Sequence, residues 1–506
     1  MNWNIGNLLP AAAARFGTKT ALVFEDRAFT FRELDRLSSR FAGALQSLGV
    51  EAGDRVSLYS PNCWEWIVCY YGVLKVAAVI NPINVMLTPE EVAYVTHDCG
   101  AKAIVSSGDK GPELVVCCAN TSIQHIVLFG GTEYAGTRRF EDLIANAADG
   151  FNAVQVDPDA LATIGYTSGT TGHPKGAMLS HRNVLASTAM TATMHRRTDS
   201  DTVVTALPCS HVYGNVVMNA AMWFGMTLVL IRKFSEYEVF RAIEQHRATM
   251  FEGVPTMYMY LLAYPQRGDY DVRSLRLCTV GGQTMPVDTM HAVEAHFGCP
   301  LIELWGMTEL AGPATTHAFY AENRQGSIGV ALPGVDCRIA NVHDSSKTLS
   351  EDEIGELLVR GPLVMQGYYG NEGETQAAIT PGGWLRTGDL ARMDRDGYIY
   401  VVDRKKDMII TGGFNVYPAE LERVLASHPA VSQVAVGPQP DALKGEVAKA
   451  YIVRTPGARV SEEEIVAFCR EHLAAYKIPR AIQFVEGLPT TSTGKVMRRS
   501  LRSLDE

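Results

Sequence analysis

The sequence predicts an α/β protein: a large N-terminal domain of mostly parallel sheets covered by helices, with a small β-barrel-like subdomain, then a small α+β C-terminal domain. Three observations predict it. Short β-rich runs alternate with helical patterns from residue ~20 to ~310, as in sheets whose strands are joined by helical crossovers. After Gly326 come GVDCRIANV, GELLVRG and GYIYVVDR, short strands with glycine turns that suggest a small barrel or sheet. Past Arg404 the order becomes helix, strand, strand, helix and a final β-rich run over about a hundred residues, a common domain size.

The elements follow in order. RVSLYS (55–60) reads as a strand and CWEWIVCYYGVLKVA (63–77) as the helix after it. LTPEEVAYVTHDCGAKAIVSS repeats the theme, with a Thr-Pro-Glu-Glu helix start at Thr88. TVVTAL, MTLVLIRKF, LRLCTVGG and PLIELWG read as later strands, separated by the helical patterns EVFRAIEQHRA and MPVDTMHAVEAHFG. Ligands of such sheets gather at the carboxyl ends of the strands. Beyond the change of pattern, AELERVLASH and EEEIVAFCREHLAAY read as helices, QVAVGPQ and VAKAYIV as strands, and AIQFVEG follows. The domain boundary is placed near DRKKD, residues 403–407.

Composition narrows the class. A chain of 506 residues exceeds what one hydrophobic core usually serves, and 47% hydrophobic with 20% charged residues fits a globular protein. A net charge of -10 disfavours nucleic acid as the main partner. The 10 cysteines are scattered without a C-x-x-C pair, which suits reduced, buried thiols in a cytoplasm. MNWNIGNLLPAAAARFG lacks the basic start and apolar core of a signal peptide. The most apolar run, Val216 to Ile231, is interrupted by Asn219 and falls short of the ~20 residues of a membrane span. A cytoplasmic location without a membrane span is expected, and a homodimer stays open.

YTSGTTGHPKG (166–176) holds three glycines, three threonines, a serine and a lysine. Such small residues bury little, but they offer backbone N–H groups, hydroxyls and one ammonium to a polyanion. The run lies between a strand, ALATIGYTS, and a helix capped near Ser180 or Asn183. It is not a Walker A loop, since no G-x-x-x-x-G-K-[ST] passes through Gly169, Gly172 and Lys175. Composition alone leaves both a solvated turn and a phosphate loop open.

The run has company in LWGMTE (304–309), TGDL (387–390), YVVDRKKDMIITGGFNVYPAELE (400–422) and PTTSTGKVMRR (489–499). On these ordered motifs, nearly the whole chain resembles the AMP-forming acyl-CoA synthetases of the adenylate-forming superfamily. The resemblance implies that ATP adenylates a carboxylic acid, pyrophosphate leaves, and coenzyme A takes the acyl group. It implies that Thr167, Ser168, Gly169, Thr170, Thr171, Gly172 and Lys175 grip the β- and γ-phosphates. Thr308 would meet the α-phosphate, and Glu309 would help hold Mg²⁺. Asp389 and Arg404 would take the ribose. Gly282, Gln283 and the segment Glu303, Leu304 and Trp305 would form the adenine site, with Gly306 and Met307 also against the nucleotide, although a lone aromatic such as Trp305 is more often part of a core. Lys495 would bridge carboxylate and α-phosphate. Lys406 matches the hinge, which gives a large domain of 1–403, a hinge at 404–406 and a small mobile domain of 407–506. Gly412, Gly413 and Phe414 would line the coenzyme A approach.

For the acid, His211, Tyr213, Met218, Met222, Trp223, Thr279, Gly281, Gly306 and Pro313 are the candidates. They read as an apolar slot with few polar groups, which suits a hydrophobic acid. CSHVYG carries no aspartate to pair an α-ammonium, which disfavours amino acids. Small residues at 281 and 282 suggest depth, and Tyr213 could bond a phenolic or methoxy oxygen. His211 reads equally as a satisfied core histidine. The combination resembles 4-coumarate- and feruloyl-CoA ligases, while DRKKDMIITGGFNVYP also resembles bacterial medium- and long-chain fatty-acid ligases. Asn415 departs from the glutamine usual in plant coumarate ligases. A hydroxycinnamic acid is the first expectation, and a fatty acid or a carrier-protein acceptor the alternatives.

Overall fold

Helices begin where the sequence places capping residues. Thr88 and Glu91 form a reciprocal capping box at the helix Pro89–Asp98, and Ser180 and Asn183 form another at His181–Met194. Cys63 caps Trp64–Lys75. These elements belong to a computed structural model that describes residues 3–131, 134–167, 174–411, 414–441, 443–489 and 496–505. The chain divides into two compact units, residues 1–336 with 359–385 and residues 337–358 with 386–506.

The first unit holds a nine-stranded and an eight-stranded sheet. Six neighbouring strands of the larger sheet run parallel: Leu301–Met307, Leu277–Gly281, Met250–Gly253, Thr202–Thr205, Thr227–Leu230 and Thr20–Phe24. One face packs on the helices Glu236–His246, Pro255–Ala263 and Val287–Phe297 through Phe240, Phe251, Tyr258, Val280 and Phe297, all buried. Each such side chain contributes about 1.5–3 kcal/mol on leaving water. The helices His181–Met194 and Val212–Phe224 pack on strands of the same sheet from elsewhere. The apolar run expected as helix and strand is the helix Val212–Phe224 followed by Thr227–Leu230, and among the described residues no helix is long and apolar enough to cross a membrane.

The eight-stranded sheet corrects the sequence reading at one edge. Strands from Leu161–Thr167 through Thr137–Arg139 are parallel, but Leu161–Thr167 pairs on its other side with an antiparallel strand, Lys175–Ser180. The glycine-rich run therefore joins two strands of a hairpin, and the helix begins only after the second. A two-residue strand, Gly367–Tyr368, closes this edge by pairing with Met178 and Ala177.

The second unit holds two sheets. One carries the strands Gly355–Arg360, Leu385–Met393 and Ile399–Arg404, an open sheet where a small barrel or sheet is expected. The other pairs Val431–Asp441 with Gly445–Arg454 and packs on the helices Pro418–Ala426 and Glu462–His472 around Ile409, Leu421, Leu425, Ile452 and Ile465. The sheet that precedes the expected hinge at 404–406 thus belongs to the second compact unit, so this division differs from a cut at residue 403.

Candidate active site

The hairpin carries the first group of candidates. Its last pair places Thr167 opposite Lys175, so the two flanks of the glycine-rich run are held side by side. Ser168, Gly169, Thr170, Thr171 and Gly172 lie outside the described residues. Lys175 Nζ lies 2.5 Å from Glu374 Oε2 and stands 5.4 Å over the Tyr368 ring. Thr308 and Glu309 open a short 3-10 turn at the end of the strand Leu301–Met307. The Thr308 methyl comes within 2.8 Å of where a Cβ on Gly165 would stand, which places Thr308 over the hairpin's first strand.

Glu309 is buried, and the Tyr368 hydroxyl donates to its Oε1 at 2.9 Å. Met365 N–H donates to the Glu309 carbonyl at 2.8 Å. Burial and the Glu309 carboxylate push the Tyr368 phenol well above its ordinary range, so it remains a donor. Tyr368 and Glu374 are absent from the sequence reading. Nothing in GYYGNEGET distinguishes one tyrosine of the pair; only edge pairing brings it beneath the hairpin.

Among the described residues no three His, Cys, Asp or Glu side chains gather as a metal centre. One buried carboxylate is nevertheless a fitting donor for Mg²⁺, which binds through one or two carboxylates and completes its shell with substrate phosphates and water.

The adenine candidates divide between the faces of the larger sheet. Glu303 pairs with Val280 and shares its face, whereas Leu304 belongs to the other. Glu303 Oε2 has no hydrogen-bond partner among the described residues, and burial pushes the carboxyl up to about 8. Trp305 and Met307 are half-buried, Gly306 is exposed, and Gly282 and Gln283 follow the neighbouring strand.

The acid candidates are only partly brought together. Thr205, Glu252, Thr279 and Ile302 align across four parallel strands, and Leu304 pairs with Thr316, so these residues share one face. Tyr213 reaches that row, with its hydroxyl 2.6 Å from Thr279 Oγ1. Thr279 donates its single proton to Glu252 Oε2 at 3.0 Å, so Tyr213 donates to Thr279. The proton of the Tyr213 hydroxyl, expected to meet a phenolic or methoxy oxygen, is directed at Thr279. Gly306 and Pro313 face each other across paired strands. Gly281 gives less depth than its size suggests, because a Cβ there would meet Leu304 Cδ1 at 2.5 Å.

Met218 and Met222 lie elsewhere. At about 100° per residue they sit roughly 140° and 180° around the helix from Tyr213, and both are buried. Trp223 meets Trp3 edge-to-face at 6.5 Å. His211 is exposed rather than a core histidine, and its Nδ1 accepts from Tyr213 N–H at 3.3 Å as a helix cap.

The second unit assembles its own pair. Asp389 and Arg404 face each other across the strands Leu385–Met393 and Ile399–Arg404, with Arg404 Nε 2.6 Å from the buried Asp389 Oδ1. Lys406 lies in the turn Lys405–Asp407, beside the 2.8 Å Lys405–Glu356 pair. Phe414 opens the strand Phe414–Val416. Gly412, Gly413 and Lys495 lie outside the described residues.

Comparison with known proteins identifies the family. Residues 9–369 match the model of the AMP-binding enzyme family, and residues 420–495 match that of its C-terminal domain. The chain is 34% identical to a long-chain-fatty-acid–CoA ligase of Bacillus subtilis, covering 99% of this chain and 94% of the relative. It is 36% identical to the 3-[(3aS,4S,7aS)-7a-methyl-1,5-dioxo-octahydro-1H-inden-4-yl]propanoyl:CoA ligase of Mycobacterium tuberculosis, over 96% of each. ATP-bound MatB from Rhodopseudomonas palustris superposes with a TM-score of 0.93 at 31% identity, over 100% of this chain and 99% of the other. By sequence and by fold, the chain belongs to the AMP-binding enzyme family.

Proposed function

We propose that the protein is an AMP-forming acyl-CoA ligase for a hydrophobic carboxylic acid. The observation that carries this reading is the Thr308–Glu309 turn set against the hairpin that ends in Thr167 and Lys175, with Tyr368 beneath both. A carboxylate must attack the α-phosphate of ATP, and two anions meet only where donors and positive charge are already in place. Thr167, Lys175 and the hydroxyls and N–H groups of the run between them bind the phosphates. Thr308 donates to the α-phosphate. Mg²⁺, when bound at Glu309, supplies charge neutralisation to the phosphate oxygens. Asp389 accepts the ribose hydroxyls and is oriented by Arg404. Lys495 bridges the two anions during adenylation, and Lys406 is the hinge at which the small domain turns so that coenzyme A enters along Gly412 and Gly413.

The acid is an apolar chain or alicyclic ring in preference to a hydroxycinnamate. Two facts support this choice: the Tyr213 hydroxyl is engaged by Thr279, and full-length relatives act on long-chain fatty acids and on a bicyclic propanoate.

Acid-dependent pyrophosphate release, measured with ferulate, 4-coumarate, benzoate, octanoate and palmitate, tests the reading. Octanoate or palmitate should lead, with acyl-CoA formed from free coenzyme A. A ferulate optimum would restore the hydroxycinnamate reading, and no release with any acid would sink the ligase. Lys495→Ala should lose about a hundred- to a thousandfold in pyrophosphate release, yet convert synthetic acyl-adenylate and coenzyme A at a nearly normal rate. Equal loss in both half-reactions would end the assignment of Lys495 to adenylation alone.

A further inference from the structure

The strand that closes the hairpin edge also carries an acid to it. Gly367–Tyr368 pairs with Met178 and Ala177, and Tyr369 N–H donates to the Gly176 carbonyl at 2.8 Å. The helix Glu372–Ala378 follows at once, capped by Asn371, whose Oδ1 accepts from Glu374 N–H at 3.1 Å. Thr375 ties the two elements together. Its Oγ1 accepts from Tyr368 N–H at 2.8 Å and donates to the Asn371 carbonyl at 2.8 Å. The backbone on both sides of Glu374 is thus fixed to the hairpin edge. From there Glu374 Oε2 meets Lys175 Nζ at 2.5 Å, across 199 positions of sequence.

This contact places two demands on one cation. The side chains of Lys175 and Glu374 are 14% and 34% exposed, and ion pairs open to water contribute little to stability. Holding the fold together is therefore a weak reason for the pair. Lys175 is also the cation assigned above to the phosphates of ATP. An ammonium has three N–H donors; Glu374 takes one, and two stay available to phosphate oxygens. A carboxylate at this point holds a flexible lysine stem in one direction. It also repels the phosphates that the ammonium attracts.

The reaction gives that repulsion a use. Pyrophosphate carries away the same β- and γ-phosphates by which ATP is bound, so a grip shared by both slows product release. A grip that is equal in the ground state and the transition state adds nothing to the chemical step. We propose, resting on the reading of the chain as an AMP-forming ligase, that Glu374 is a positioning residue that acts through Lys175. It aims the ammonium at the β- and γ-phosphates and weakens its hold enough for pyrophosphate to leave. Glu374 itself touches no reacting atom in this role.

Glu374→Gln keeps the shape and removes the charge, and inhibition of the intact protein by pyrophosphate and by AMP tests the role. The inhibition constant of pyrophosphate should fall about tenfold, with KM for ATP falling in the same direction. AMP lacks the β- and γ-phosphates, so its inhibition constant should not move, and neither should KM for the acid. Glu374→Asp keeps the charge and should lie closer to the wild type than Glu374→Gln does. A purely structural acid predicts the opposite sign: without it Lys175 wanders, and pyrophosphate and ATP both bind more weakly. That result overturns the assignment, as does unchanged pyrophosphate inhibition or an equal shift for AMP. If the glutamine variant does not fold, Glu374→Ser decides in the same way. No pyrophosphate release from the wild type with any acid overturns the ligase reading and this assignment together. Release by the wild type, with pyrophosphate inhibition unmoved in the variant, overturns this assignment only.

Discussion

The two faces of the larger sheet are made from the same strands and do opposite things. Phe251 and Glu252 are neighbours in Met250–Gly253, and so face opposite sides. Phe251 meets Tyr258 at a ring distance of 5.2 Å within an apolar cluster. Glu252 enters a chain of polar groups that runs from Tyr213 to Arg197. The first face holds the sheet by dispersion and loss of apolar surface, which need no exact partner. The second joins its groups only through particular neighbours, so it fixes positions rather than adding stability. Apolar packing and hydrogen-bonded positioning are divided between two sides of a layer one strand thick.

The largest expected effect comes from breaking each face in turn. Phe251→Ala should lose about 3–5 kcal/mol of unfolding free energy through the cavity it leaves. Glu252→Ala should lose a similar amount, about 3–5 kcal/mol, by leaving Arg197 without its counter-charge. Urea unfolding measures both, and the milder Phe251→Leu should leave the order of acid preference unchanged where Glu252→Gln alters it. An altered order in Phe251→Leu would erase the division between faces.

Glu303 sharpens the comparison, because it is the acid on the apolar side. Its carboxyl is raised to about 8 by burial, so the folded state holds a proton that the unfolded chain releases near the ordinary value of about 4.3. The stabilisation from this proton is present at low pH and is lost as the pH rises through about 8. Glu303→Gln should therefore gain on the order of a few kcal/mol relative to the wild type at pH 8.5, and much less at pH 5. Parallel stability curves for the two proteins between these values would contradict the assignment.

Away from the sheet, Tyr368→Phe removes the hydrogen bond that orients Glu309 and should raise the Mg²⁺ concentration for half-maximal pyrophosphate release by about 10- to 100-fold. An unchanged Mg²⁺ dependence would show that Glu309 does not serve the metal. Tyr213→Phe should have the smallest effect, about 0.5–1.5 kcal/mol of stability. It should reduce ferulate and octanoate turnover in equal proportion; a selective loss of ferulate would return Tyr213 to the role of a phenol-binding group.

The parallel strands were legible because TVVTAL, LRLCTVGG and PLIELWG are apolar runs bounded by turn residues, and capped helix starts such as Thr88 have a local cause. The strand Lys175–Ser180 was not legible. KGAMLS is short and begins with lysine and glycine, and its pairing depends on a partner strand that sequence spacing does not specify. Thr308, Glu309, Asp389 and Arg404 could be named from their motifs. Tyr368, Glu252 and Arg197 could not, since each acquires its meaning from contacts 55 or more positions away: Tyr368 with Glu309, Glu252 with Arg197. The misplacement of Met218 and Met222 has a simpler origin, because an apolar helix shows no polar face from which to read its orientation.

Gly367 carries a last consequence. It holds φ at 144°, a backbone geometry that L side chains rarely adopt, and a Cβ there would stand 2.7 Å from Thr375 Cγ2. Its neighbour Tyr368 takes its height beneath Glu309 and Lys175 from this position. A single methyl group added there would press on Thr375 and should tilt the tyrosine and with it the carboxylate. If Glu309 holds magnesium as proposed, a residue with no side chain would help to set that affinity, and a survey of contact residues alone would pass over it.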